Sequence, residues 1–266
     1  MCSIVILYRP GHPWPVLIGA NRDEMLDRPW DPPARHWPDR PGVVAGRDRL
    51  AGGSWLGLND EGVVAGVLNR RNSLGPLPGR RSRGELVLEA LDHADAAEAA
   101  WALADLDPKA YRSFNMVVAD NRNAFWLRNL GEAAEGIDVM PLPPGISMIT
   151  AHDRNDTEAS ARIRAFLPRF QDAPPPDPEA PGPDGATGAG DWQAWEALLS
   201  SRDSATPGNP YDAMAIVSDS GFGTSSSSLI GLAAPGGAGR KPKGRRAVWR
   251  FAAGLPGKAP YRPVDL

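Results

Sequence analysis

The sequence predicts an α+β protein built on antiparallel sheets, and three observations carry that expectation. Short runs rich in Val, Ile and Leu are separated by tight turn signals, so hairpins dominate the chain. Helical patterning comes in blocks, over residues 84–106, 156–170 and 191–200, and not once between every two strands. The regular strand–helix–strand alternation that a parallel sheet requires is therefore missing.

Taken in order, residues 2–8 alternate weakly and are rich in Ile and Val, which reads as a buried strand. Pro10-Gly11-His12-Pro13 is a turn, and residues 16–20 form a second strand, so the first two elements make a hairpin. The Pro- and Trp-rich stretch 28–41 lacks periodicity and reads as an ordered irregular loop. Residues 53–58 read as a strand, Asn59-Asp60-Glu61-Gly62 as its turn and 63–68 as its partner. An Arg/Gly/Pro loop covers 70–83. Helical character runs over 84–92 and 94–106 and stops at Asp107-Pro108. Strands follow at 114–119 and 124–129, then a short apolar stretch at 147–151. A helix over 156–170 leads into a Pro/Gly/Ala-rich insertion, 172–190, whose few apolar anchors predict mobility. A short helix at 191–200 and strands at 213–218, 226–232 and 247–252 complete the pattern, the last two joined by a basic tip at 239–246. No internal repeat or second boundary is visible, so a single domain over 1–266 is expected.

With 266 residues, 42% of them hydrophobic, the chain can bury a substantial core. A net charge of −3 gives no bulk field that favours nucleic acid or an anionic membrane. No apolar run reaches the roughly 18 residues that a membrane span needs. The N-terminus lacks the basic start of an export signal, and Arg9-Pro10-Gly11 ends its apolar run early. A single cysteine excludes an internal disulfide and a cysteine-based zinc cage. His12, His36, His93 and His152 show no metal-ligand spacing. The expectation is a cytoplasmic protein that requires no cofactor and no metal and binds a small molecule, with its oligomeric state open.

The one cysteine is at position 2. A residue this small permits removal of Met1, and the new terminus would carry a thiol and a free α-amine on one residue. Their reference pKa values, about 8.5 and about 7.7–8.0, are close enough for proton exchange near neutral pH. The amine can then act as base for its own side chain. The alternative reading of Cys2 is a small buried hydrophobe on an edge strand.

Other segments give Cys2 a context. MCSIVIL, GANRDE, LAGGSWLGLNDEGVVAGVLN, SRGELV, FNMVVAD and FGTSSSSLI follow one another from Met1 to about Leu232. Together they resemble the NRDE family, named for its Asn-Arg-Asp-Glu tetrad and also called the transport and Golgi organisation protein 2 family. More distantly they are similar to the N-terminal-nucleophile hydrolases of the bile-salt hydrolase and penicillin V acylase group. The resemblance implies a four-layer αββα sandwich with antiparallel sheets. It also implies Cys2 as nucleophile, Asp23 as a carboxylate near its amine and Asn69 as oxyanion donor, with Arg22 a further catalytic candidate. A buried Asp beside a terminal ammonium orients it. An amide NH2 aimed at a forming oxyanion contributes about 2.7–4 kcal/mol. On the residues alone, Asp23 and Arg22 could instead pair at a strand end and Asn69 could cap a turn.

The sequence also departs from the group's pattern. The place of an arginine beside the nucleophile falls on Ala20 or Asn21, with Arg22 displaced; Gly145-Ile146-Ser147-Met148 lacks an expected Asn; and Gly223-Thr224-Ser225-Ser226 lacks a cation.

The remaining candidates are for substrate contact: Asn21, Trp55, Arg83, Asn115, Thr224 and Ser225 from these segments, and Arg70 from the loop after Asn69. Arg70, Arg71, Arg80, Arg81 and Arg83 could hold a carboxylate or phosphate, or form a solvated loop. The tip residues Lys241, Lys243, Arg245 and Arg246 lack the interleaved aromatics of a nucleic-acid surface. Two functions follow from the resemblance. One is hydrolysis of an amide or thioester of a small acylated substrate. The other is non-catalytic carriage of haem or an acyl-lipid such as an acyl-CoA.

Overall fold

The computed structural model describes residues 2–181, 190–235 and 247–266. The basic tip at 239–246, the centre of the 172–190 insertion and Met1 lie outside them. From the N-terminus the elements are β1 (Ser3–Tyr8), β2 (Val16–Met25), β3 (Trp30–Ala34), β4 (Val43–Asp48), β5 (Leu56–Asn59) and β6 (Val64–Asn69). Then come α1 (Gly84–Ala90), α2 (Ala96–Ala104), β7 (Phe114–Ala119), β8 (Ala124–Asn129), β9 (Asp138–Pro141) and β10 (Gly145–Ile149). The chain continues with α3 (Ala161–Asp172), α4 (Gln193–Leu199), β11 (Phe222–Leu232), β12 (Ala247–Ala252) and β13 (Tyr261–Pro263). These elements belong to two compact units: residues 1–27, 144–149 and 154–265 in the first, 28–143, 150–153 and 266 in the second.

The first unit carries a six-stranded sheet in the order β10-β1-β2-β11-β12-β13, with neighbours antiparallel. Side chains alternate across it. Val5, Leu7, Leu17 and Leu229 share a core with Ile163, Phe166 and Phe170 of α3 and with Trp195 and Leu199 of α4. Gly19 lies on the same face; a Cβ there would meet the Trp195 ring at 3.1 Å. The helix α3 begins at Ser160, whose side chain accepts from the Ile163 amide. Its buried stripe is Arg162, Ile163, Phe166, Leu167 and Phe170, so an arginine occupies an apolar position.

The second unit carries a seven-stranded antiparallel meander, β3 through β9 in sequence order. The helices α1 and α2 cover one face, and their Leu86, Val87, Ala99 and Leu103 pack with Ala45, Ala65, Phe114, Met116 and Val118. The close approach of α1 depends on Gly53: a Cβ there would lie 2.4 Å from the Gly84 backbone. The Ser54 amide donates to the Gly84 carbonyl at 2.9 Å across the same contact.

Most expected hairpins are present; β4, β9 and β13 are strands that the sequence reading did not assign, and two expectations are corrected. The stretch 28–41 is not all loop, because Trp30–Ala34 pairs with β4 as an edge strand. Pro32 and Pro33 are tolerated there because the register shifts between Asp31 and Ala34. Residues 213–218 do not form a strand; they are bound by the Asn21 side chain at Met214 O, by Ser201 O at the Ala215 amide and by Thr224 at the Ile216 amide. Within and beside the 172–190 insertion, Asp177 and Asp191 exchange main-chain hydrogen bonds of 2.9 and 2.8 Å. No helix among the described residues is long and apolar enough to cross a membrane.

Candidate active site

Three strand ends meet around Cys2 in the first unit. Ser3 pairs with Asn21 across β1 and β2, and Asp23 pairs with Thr224 across β2 and β11. Cys2, one residue before β1, is brought beside the main chain of Asp23. Its Sγ accepts from the Asp23 amide at 3.3 Å and donates to the Asp23 carbonyl at 3.5 Å. Cys2 is partly exposed. Burial of the sulfur pushes the thiol pKa up, and the negative charge of Asp23 pushes it further; the charge of the amino terminus, the Asp23 amide and the Arg22 guanidinium act in the opposite direction but do not cancel the rise.

The Asp23 side chain turns to the helix-covered face and is fully buried. Its Oδ2 accepts from Arg162 Nη1 at 3.1 Å, and its Oδ1 from Thr224 Oγ1 at 2.6 Å. Arg162, 4% exposed at its side chain, also donates to Ser3 Oγ at 2.6 Å and to the Tyr211 carbonyl at 2.8 Å. The residue whose main chain contacts sulfur is thus fixed through its own buried carboxylate by a guanidinium and a hydroxyl. Sequence reasoning missed Arg162 and Ser3. The signal for Arg162 was there: a lone arginine on the apolar stripe of an amphipathic helix needs a buried carboxylate as partner.

Arg22 and Ala20 share a strand face because strand side chains repeat every two residues. Arg22 is buried, and its Nη1 donates to Ser225 Oγ at 3.0 Å. Ser225 is the extra residue where the register shifts between Thr224 and Ser226. Asn21 does not open toward ligand: its Nδ2 donates to the Leu199 and Met214 carbonyls, both at 2.9 Å, and its Oδ1 accepts from Ser227. Thr224 likewise has its hydroxyl committed, accepting from the Ile216 amide while donating to Asp23.

The other candidates belong to the second unit. Asn69 ends β6 opposite Phe114, is partly exposed, and its side chain makes no hydrogen bond among the described residues. Asn115 is fully buried. Its Nδ2 donates to the Thr150 and His152 carbonyls at 2.8 and 2.7 Å, and its Oδ1 accepts from Arg70 and Trp126. That leaves it a brace and not a free substrate contact. Arg70 also pairs with Asp153 at 2.7 Å, and Arg83 donates to Ser73 Oγ and the Ser113 carbonyl. Arg80 pairs with Glu132, and Arg81 with Glu85 and Glu89. Of the five loop arginines, Arg71 is exposed and makes no side-chain hydrogen bond or ion pair among the described residues. Trp55 packs edge-on to Trp30, with ring centroids 5.8 Å apart. It also lies over Gly46, where a Cβ would come within 2.4 Å of the Trp55 ring.

No group of three or more His, Cys, Asp or Glu among the described residues is placed to hold a metal ion. Two histidines are engaged by main chain, His12 Nδ1 accepting from the Trp14 amide and His36 Nε2 lying 2.8 Å from the Pro32 carbonyl.

The family profile for Transport and Golgi organisation 2 matches residues 1–159, which is more than half of the chain. The chain belongs to this family. Among curated members, the mouse Transport and Golgi organization 2 homolog is 28% identical over 127 residues. The bovine Transport and Golgi organization protein 2 homolog is 30% identical over 129 residues. Each alignment covers 45% of this chain and 45% of the relative, so the chain spans under half of those relatives' length. Among solved structures, the N-acylethanolamine-hydrolyzing acid amidase ortholog of Caenorhabditis elegans superposes with a TM-score of 0.57 at 13% identity, covering 86% of this chain and 92% of that one. A mutant conjugated bile acid hydrolase from Clostridium perfringens gives 0.55 at 12% identity, covering 100% and 92%. Penicillin V acylase from Agrobacterium tumefaciens gives 0.50 at 11%, covering 100% and 86%. These likenesses establish the fold, that of the N-terminal-nucleophile hydrolases, with its two antiparallel sheets and their helices.

Proposed function

We propose that this protein is an N-terminal-cysteine hydrolase of amides or thioesters of small acylated molecules, active once Met1 is removed. The observation that carries the reading is the two-point contact of Cys2 Sγ with the Asp23 main chain, backed by the buried Asp23 carboxylate. With Met1 in place the raised pKa keeps Cys2 a neutral thiol near pH 7. Removal of Met1 would put a titratable nitrogen on the same residue. That amine takes the thiol proton, and the thiolate attacks the acyl carbon. The carbonyl π electrons move to oxygen, then return as the bond to the leaving amine or thiol breaks. The ammonium gives its proton to the leaving group. Water, with the amine again as base, then cleaves the S-acyl bond and restores the thiol. Met25, Leu26, Tyr211 and Val217 are exposed apolar side chains at and near the ends of the same strands, which suits an acylated substrate.

Two measurements test this. Intact-mass spectrometry is expected to find the purified chain lacking Met1; full retention of Met1 removes the amine and with it the mechanism. Against a panel of N-acyl amides and acyl thioesters, Cys2→Ala is expected to lower turnover by about 10³-fold or more. Unchanged turnover would take Cys2 out of the chemistry.

A further inference from the structure

We infer that Arg162 is a positioning residue for Cys2: it clamps Asp23, whose main chain brackets the Cys2 sulfur, and offsets the Asp23 charge beside it. The role rests on reading Cys2 as the nucleophile. The geometry behind it is the path from α3 to the sulfur. The Arg162 guanidinium spans Asp23 Oδ2, Ser3 Oγ and the Tyr211 carbonyl. Ser3 follows Cys2 in the chain, and the Asp23 amide and carbonyl are the groups that touch Sγ. One side chain therefore fixes both the residue after the nucleophile and the residue that brackets it.

Charge gives the clamp a chemical consequence. Among the described residues, the charged or titratable groups placed here are Cys2 itself, Arg22 and Asp23 of β2, and Arg162 of α3, and the charge of the chain's amino terminus also acts on Cys2. From β11 come the hydroxyls of Thr224 and Ser225, and from the segment before it the Tyr211 carbonyl. An anion beside a thiol, or beside an α-amine on the same residue, stabilises the protonated form of each and so opposes the thiolate and the free base together. Arg162, ion-paired to Asp23, offsets part of that effect.

The chain has one cysteine, so alkylation reports Cys2 alone. The experiment measures the pH dependence of iodoacetamide alkylation of the full-length protein, with the N-terminus of each preparation established by mass. Arg162→Met is expected to move the midpoint upward by about one pH unit or more. The double variant Arg162→Met with Asp23→Asn, which removes both charges, is expected to return it to within about 0.3 unit of the parent, as is Arg162→Lys. A merely structural role would alter the alkylation rate at every pH without moving the midpoint, so the midpoint is the quantity that decides. An unshifted Arg162→Met, or a double variant displaced as far as the single one, overturns the inference; should Arg162→Met not fold, the Arg162→Lys and double variants against Asp23→Asn alone decide the same point. Alkylation needs no substrate. A panel showing no turnover therefore removes the hydrolase reading, while a null alkylation result removes this one.

Discussion

Two arginine-rich regions of this molecule use the same ion-pair chemistry to different ends. In the first unit Arg162 and Asp23 meet with side chains 4% and 0% exposed, among Ser3, Thr224 and the Tyr211 carbonyl. In the second, the 70–83 loop and its surroundings hold Arg81 with Glu85 and Glu89, Arg80 with Glu132, and Arg70 and Arg128 with Asp153, all with solvent within reach. Burial decides what each pairing does. A desolvated charge that loses its partner is left in a medium that cannot solvate it, whereas an exposed one is taken over by water. The buried pair is therefore a single point on which the surroundings of Cys2 depend. The loop pairs are many, individually weak, and fasten a surface.

The contrast is broken most directly at Arg162. Arg162→Met leaves Asp23 buried without its cation and is expected to lower unfolding free energy by about 3–5 kcal/mol. Urea denaturation measures it. A loss under about 1 kcal/mol would mean that water or another cation reaches Asp23, and the two regions would then be alike.

A second, smaller effect sharpens the comparison from the other unit. Asn115 is the one candidate there that is fully buried, and its amide joins the Thr150 and His152 carbonyls to Arg70 and Trp126. Asn115→Ala is expected to cost about 2–3 kcal/mol, because several buried polar groups lose partners while Arg70 keeps Asp153. Asn115→Asp, retaining Oδ1 but not the donors, should recover only part of this. Thermal or urea unfolding of the pair of variants reads the difference.

These positions also mark how far the sequence speaks. Hairpins announce themselves locally: the alternation around Asn59-Asp60-Glu61-Gly62 and around Asp120-Asn121-Arg122-Asn123 is complete within about ten residues of chain. Cys2, Asp23 and Asn69 stand out because each lies in a motif. The strand β3 was hidden because Pro32 and Pro33 argue against any strand, and only an irregular edge position admits them. Residues 213–218 look like a strand because Ala213, Met214, Ala215 and Ile216 are buried. What holds them is a set of side-chain hydrogen bonds from Asn21 and Thr224, with single main-chain bonds to Ser201 and Thr224 and one isolated bridge from Val217 to Gly223 in place of a continuous ladder. Asn21, Asn115 and Thr224 are polar residues inside motifs, and sequence alone does not separate one that faces a ligand from one that satisfies carbonyls far along the chain. Arg162 lies in no motif, and its partner Asp23 is 139 residues away.

The smallest effect belongs to the exposed pairs. Arg81 reaches Glu85 at 2.7 Å and Glu89 at 3.0 Å, with its side chain 49% exposed, and its guanidinium lies 5.2 Å from the Tyr111 ring centroid. The basic residue precedes its acidic partner by four on the way into α1, the less favourable order for a helix. Arg81→Ala is expected to change stability by no more than about 1 kcal/mol. Most of that change should vanish in about 1 M salt, where the Debye length falls to about 3 Å. The Arg162→Met loss should persist in the same salt, since a buried pair is screened far less. Unfolding both variants at low and high salt sets the two regions side by side. If both losses faded together, burial would not be what separates them, and Asp23 would be within reach of solvent ions.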